Sequence, residues 1–383
     1  MSLISRKDRG LIANWWFTID RLLLTALLIL VALGAMLSMA ASPPVAERLG
    51  VDPFFFFRRH VVYMVLAAIV LVATSFLNPR QARRICLVAL IAGIGLMMLA
   101  LAVGPEVKGA RRWLDIGPLS IQPSEFVKPA FIVLTAWLFA ENRLRPDMPG
   151  VLIAGGMLAT VLGLLILQPD YGQTILVGAV WAELLFLTGI SWTLIAGLGG
   201  AAIGGLFFAY TSVSHFASRI DRFLNPEAGD TYQVDTAIQA FEHGGLFGVG
   251  PGSGTVKSIL PDAHSDFVFA VAGEEFGLIA CLILLGLFAF VVVRGLRHGL
   301  RAHDPFIALA VVGLVSIFGF QAAINMAVNV SLLPAKGMTL PFISYGGSSL
   351  ISMAFAMGLV VGLTRRRPAG FAPPRAGLVG ATA

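Results

Sequence analysis

The chain has 383 residues, of which 57% are hydrophobic and 13% charged, and its mean hydropathy is +0.85. Soluble domains carry roughly 25% charged residues, so the composition excludes one and implies a single integral membrane domain. The net charge of +6 is scattered through short loops rather than gathered in a stripe, which argues against nucleic acid and for anionic lipid.

Residues 1–21 are polar and basic and lack the short apolar core and small-residue cleavage site of a secretory signal, so they read as a tail leading into a retained first helix. A bilayer core of about 30 Å takes about 20 apolar residues of helix. Ten such segments are predicted, at 22–41, 61–77, 85–103, 126–140, 151–167, 174–187, 194–210, 267–293, 306–330 and 342–363, in an all-α polytopic fold. The fourth and sixth carry Lys128 and Glu183. Between the seventh and eighth lies the longest loop, 211–265, and 365–383 is a Pro-, Ala- and Gly-rich tail with the composition of disorder. The membrane domain is thus expected to span 22–364.

Lys and Arg collect in cytoplasmic loops. Of the 27, sixteen fall in the tails and even-numbered loops, ten in the odd loops, and Lys128 lies in a span. Both termini are therefore predicted cytoplasmic and the 211–265 loop extracytoplasmic.

Four constellations on this scaffold carry ionisable chemistry. The first runs from Lys108 through Arg111, Arg112 and Trp113 to Gln122, Pro123, Ser124, Glu125 and Lys128. Three cations beside a Trp suit a phosphate or diphosphate headgroup, or simply anchor the chain at the interface. Pro123 belongs in the first turn of a helix, which puts Glu125 and Lys128 on one face as a buried pair or as part of a cavity wall.

The second runs from Leu260 to Gly277 and concentrates Asp262, His264, Asp266, Glu274 and Glu275. Asp266 falls at the outer boundary, where partial desolvation raises a carboxylate toward a useful base; alternatively it caps the eighth helix. Glu274 and Glu275 lie about 12 Å deeper, where ionisable groups mark function by default. The third is Gln321, Asn325 and Asn329, a stripe that reads first as interhelical hydrogen bonding. The fourth, 333–349, is a broken glycine-rich segment presenting Lys336 on the outer face. In the long loop, 215–224 reads as a short interfacial helix, and the glycine run 244–254 is a weak signal by itself. Cys86 and Cys281 read as packing residues, and no metal-ligand array is visible.

At these residues the chain resembles the SEDS family of bacterial polytopic membrane proteins. The resemblance rests on Gly109-Ala110-Arg111-Arg112-Trp113, Gln122-Pro123-Ser124-Glu125, Leu260-Pro261-Asp262-Ala263-His264-Ser265-Asp266, Gly273-Glu274-Glu275-Phe276-Gly277 and Pro341-Phe342-Ile343-Ser344-Tyr345-Gly346-Gly347. It leans to the division branch rather than the rod-shape branch. Ser265, Ala335 and Glu242-His243 depart from the usual pattern.

The resemblance implies a ten-helix peptidoglycan glycosyltransferase of the bacterial inner membrane that polymerises lipid II on its outer face. It implies a class B penicillin-binding protein and other division proteins as partners at the septum, and a divalent cation, magnesium or manganese, as cofactor. Asp266 becomes the expected general base, with His264 an orienting neighbour. Lys108, Arg111, Arg112, Trp113, Gln122, Ser124, Glu125, Lys128, Glu275 and Lys336 become expected substrate contacts. A lipid II flippase, a side-wall polymerase and a non-catalytic division scaffold are the competing readings.

Overall fold

The computed structural model describes residues 10–107, 109–117, 119–189, 192–212, 217–218, 220–221, 232–334 and 337–366. Lys108 and Lys336, most of 213–231 with most of the expected interfacial helix, residues 1–9 and residues 367–383 lie outside the described residues.

Helices follow the apolar segments: α1 (Leu11–Thr18), α2 (Arg21–Arg48), α3 (Phe55–Ser75), α4 (Pro79–Val103), α5 (Pro123–Leu144), α6 (Gly150–Leu167), α7 (Tyr171–Leu187), α8 (Trp192–Ser212), α9 (Tyr232–Gly244), α10 (Val268–Leu300), α11 (Pro305–Asn329) and α12 (Gly347–Leu363). Six of them, α2, α3, α4, α6, α10 and α11, are long and apolar enough to cross a membrane, and α7 and α12 are shorter apolar helices. The peripheral helices keep one face of large apolar side chains exposed, as α4 does with Leu87, Val88 and Ile91. In contrast α5 is buried on nearly every face from Pro123 to Ala140. A helix buried all round belongs at the centre of a bundle, and α5 packs there against α4, α6, α7, α11 and α12.

Three features depart from the sequence reading. The fold is not purely helical, because β1 (Leu114–Ile116) and β2 (Leu119–Ile121) form an antiparallel hairpin in the loop before α5. The last helix starts at Gly347, five residues later than the apolar run at 342, because Phe342 takes a φ of +64° and its carbonyl crosses Gly34 of α2. The long loop also holds α9, whose apolar positions Ala237 and Ala240 are buried.

The glycine run gains its meaning from a break in α10. Gly277 adopts φ +79°, ψ 177°, which interrupts the helix about two turns from its N-terminal end. Non-helical backbone at membrane depth must find partners in protein. The glycine loop supplies them: Val249 and Gly250 N–H donate to the Glu274 and Glu275 carbonyls at 3.0 and 3.1 Å, and Leu278 N–H donates to the Gly245 carbonyl at 2.9 Å. A Cβ on residue 277 would sit 2.4 Å from the Leu246 oxygen. Gly277→Ala is therefore expected to destabilise the protein by at least about 1–3 kcal/mol, from the backbone conformation alone. Thermal unfolding in detergent checks this, and an unchanged midpoint would show that the docked loop does not need the kink.

At the opposite end of the bundle Asp20 caps α2 and ties it to α10, accepting from Arg294 at 2.7 and 2.9 Å and pairing with His298. Burial alone would push this carboxyl up, but hydrogen bonds from Arg294, the Leu23 amide and His298 hold it below its ordinary value. Thus α2 and α10, the two helices that flank the loop bearing Asp266, are locked to each other far from it.

Candidate functional site

The loop before α10 is held by two buried glutamates. The Glu274 carboxylate accepts from the Val256 and Lys257 amides at 2.7 and 2.8 Å and lies 2.9 Å from His243 Nδ1. The Glu275 carboxylate pairs with the Lys257 ammonium, which also donates to the Ala40 carbonyl of α2 at 3.0 Å. Arg48 of α2 donates to the Leu260 carbonyl at 2.9 Å. A side chain 1% exposed and paired with lysine is enclosed by protein. Glu275 thus fastens the loop to α2 through Lys257.

Asp266 sits half-buried at the end of that loop. The helix begins at Val268, and Phe267 at its cap position makes no side-chain capping bond. Asp266 is anchored through its backbone. The Asp266 carbonyl accepts from Asn325 Nδ2 and from Asn329 Nδ2, each at 2.9 Å, and its N–H donates to the Asp262 carbonyl at 3.0 Å. Asn325 also donates to the Met338 carbonyl at 2.6 Å, which draws the broken segment before α12 alongside. A Cβ on Gly337 would lie 3.5 Å from Asp266 Oδ2. The His264 ring lies tilted against those of Phe56 and Tyr345, with centroids 4.8 and 5.2 Å away, and its carbonyl accepts the Tyr345 amide at 2.9 Å.

The second centre is on α5. Lys128 Nζ lies 2.9 Å from Glu125 Oε2 and donates to Gln173 Oε1 at 2.9 Å and Gln321 Oε1 at 3.1 Å. Gln173 Nε2 donates to Glu125 Oε1 at 3.1 Å. Gln321 Nε2 donates to the Thr339 carbonyl at 3.1 Å, in the same segment that Asn325 holds. The α11 stripe thus joins both centres to one loop, so its amides position the site as well as bind helices together.

Arg112 donates to the Gln168 carbonyl at 2.8 Å and to the Pro169 carbonyl, and lies 3.7 Å from Asp170. Burial pushes the Asp170 carboxyl up, while the Arg112 guanidinium opposes that shift. Gln122 Nε2 donates to Asp170 Oδ2 at 3.3 Å. Arg111 is exposed and 3.6 Å from Glu106. Trp113 is half-buried, and Ser124 is buried in the first turn of α5. Of the expected contacts, the structure brings Gln122, Glu125 and Lys128 into one connected polar network with Arg112 at its rim. Among the described residues no three His, Cys, Asp or Glu side chains converge as a metal cage.

Such a site, built where a broken helix, a docked loop and a buried ion pair meet, can be compared with known proteins. A family model described as cell cycle protein, covering FtsW, RodA and SpoVE, matches residues 20–368. The chain belongs to this family.

Among relatives in the FtsW/RodA/SpoVE family, the probable peptidoglycan glycosyltransferase FtsW of Caulobacter vibrioides is 44% identical, over 96% of this chain and 94% of its own. The protein of the same description from Escherichia coli O6:H1 is 35% identical, over 89% and 85%. Of solved structures, a chain from work on structural coordination of polymerization and crosslinking by a peptidoglycan synthase complex superposes with a TM-score of 0.76 at 29% identity, covering 91% of this chain and 98% of that one. The rod shape determining protein RodA of Thermus thermophilus follows at 0.68 and 28%, covering 91% and 97%. The fold is thus RodA-like and the protein a multi-pass membrane member of the FtsW/RodA/SpoVE family.

Sequence reasoning missed Asp170, Gln173 and Lys257. The signal for the first two was a polar turn, Gln168-Pro169-Asp170-Tyr171-Gly172-Gln173, opening an apolar helix on the same predicted side as Arg112. Lys257 carried no local signal, because its partners Glu275 and Ala40 are distant in sequence.

Proposed function

We infer that this chain is a peptidoglycan glycosyltransferase that polymerises lipid II on the outer face of the bacterial inner membrane during septal wall synthesis. The observation that carries this is the convergence of Asp266 and the Glu125–Lys128 pair on one loop through the α11 amides, in a chain whose relatives are described as probable peptidoglycan glycosyltransferases.

Asp266 acts as general base on the 4-hydroxyl of the acceptor sugar. The freed oxygen attacks the anomeric carbon of the donor, the glycosidic bond forms with inversion, and the lipid diphosphate departs with the electron pair of the broken bond. A positioned base contributes about 10² to 10⁴-fold, and charge stabilisation of the leaving group is usually the larger effect. Lys128, Arg111 and Arg112, with Lys108 and Lys336, are the cations for it, and Trp113, Gln122, Ser124 and His264 shape and orient the site. A divalent magnesium or manganese ion would neutralise diphosphate charge there. With no carboxylate cage among the described residues, it would bind chiefly through the substrate.

The same reading sets ten spans over 22–364 with both tails cytoplasmic and the loop 211–265 outside. A class B penicillin-binding protein supplies crosslinking beside it, together with other division proteins. Incubating the purified chain and that partner with lipid II tests the activity: glycan strands support it. Lipid II transport without polymer would favour the flippase, and neither activity would favour the scaffold.

A further inference from the structure

The polar groups around Lys128 form a closed ring. Lys128 Nζ touches Glu125 Oε2, Gln173 Oε1 accepts from Lys128, and Gln173 Nε2 donates to Glu125 Oε1, at 2.9, 2.9 and 3.1 Å. Lys128 is 1% and Gln173 5% exposed. An ammonium has three donors and no acceptor. Nζ donates to two amide oxygens, Gln173 Oε1 and Gln321 Oε1 at 3.1 Å, and its contact with Glu125 Oε2 is an ion pair.

The two amides hold different stations. The NH₂ group of Gln321 is spread over the Thr339 carbonyl, the Thr339 hydroxyl and Ser349, and so belongs to the loop before α12. The Gln173 amide touches both members of the ion pair. Its orientation is dictated by charge, since a flipped amide would aim NH₂ at the ammonium and its oxygen at the carboxylate. Because it is neutral, it satisfies one oxygen and one proton of the pair without adding a charge to a low-dielectric site. Gln173 is in turn seated by Asp170, which caps α7 and is tied to Arg112 and Gln122.

We propose that Gln173 is a positioning residue for the polymerisation reaction: it fixes Lys128 as a cation of defined direction and couples it, through Asp170, to Arg112 at the rim. This rests on the glycosyltransferase reading and adds a residue that reading does not need. Gln173 itself touches no reacting atom. Its work is geometric, and a misplacement of about 1 Å at such a site costs about 10²-fold in rate.

The test uses the purified full-length chain with its class B partner and lipid II. Gln173→Leu is expected to lower kcat about 10- to 100-fold with KM changed less than about threefold, because geometry rather than ground-state binding is lost. The decisive variant exchanges the two groups: Glu125→Gln with Gln173→Glu keeps one carboxylate, one amide and one ammonium in the ring. It should recover at least about tenfold over either single variant, a rescue that a packing role would not produce. If Gln173→Leu fails to fold, the exchange variant still carries the test. Full kcat in Gln173→Leu, or an exchange variant no better than its weaker parent, overturns this inference alone, provided wild type polymerises and Asp266→Ala does not. A wild type that makes no polymer overturns the glycosyltransferase reading and this inference with it.

Discussion

Asp266→Ala is expected to lower lipid II polymerisation by about 10² to 10⁴-fold, the contribution of a positioned general base, while leaving the protein folded. The second half of that expectation follows from the geometry. Residue 266 is anchored through its backbone, by bonds from Asn325 and Asn329 to its carbonyl and from its N–H to Asp262. Removing the carboxylate therefore leaves these anchors in place, and the thermal unfolding midpoint should stay close to wild type. Measuring initial rates and unfolding on the same preparation separates the two effects. A rate within twofold of wild type removes Asp266 from the chemistry, and loss of folding together with rate makes its role structural.

Lys128→Met should damage both stability and rate. The ammonium is enclosed among Glu125, Gln173 and Gln321, and its removal leaves the Glu125 carboxylate without its countercharge, buried in the first turn of α5. Breaking a buried pair from one side typically costs about 3–5 kcal/mol, whereas replacing both partners by apolar groups is close to neutral. Adding Glu125→Leu to Lys128→Met should therefore return most of the unfolding midpoint without returning polymerisation. If the double variant polymerises at the wild-type rate, the pair is a structural element and the diphosphate is stabilised elsewhere. If Lys128→Met alone is as stable as wild type, the pair is more hydrated than its burial implies.

Much of this molecule was readable from its residues because the bilayer is a harsh solvent. Apolar runs of helical length stand out against 13% charge, and helices lie over the predicted segments. Asp266, Glu125 and Lys128 stood out for the same reason, being ionisable groups in or beside apolar surroundings. The hidden parts depend on backbone conformation and long-range pairing. Nothing local said that Gly277 would break α10 or that 244–250 would dock into the gap, because each half of that arrangement is ordinary without the other. Lys257 read as one more loop cation until its ion pair with Glu275 appeared. Gln321 and Asn325 were visible as a polar stripe, but their hydrogen-bond partners, Lys128, the Thr339 and Met338 carbonyls and the Asp266 carbonyl, lie on other elements. Depth marked Glu275 as notable but gave no sign that Lys257 would pair with it.

The central claim is that the chemistry occurs at the outer ends of α5, α10 and α11, and it has a direct test. Proteoliposomes carrying the chain with its class B partner are prepared with labelled lipid II confined to the leaflet that the 211–265 loop faces, and glycan strands are followed on gels. The account predicts that polymer forms there at once, needs no movement of lipid across the bilayer, and disappears with Asp266→Ala. Polymer formed only from lipid II in the opposite leaflet, or label moved across the bilayer with no strand made, would contradict it.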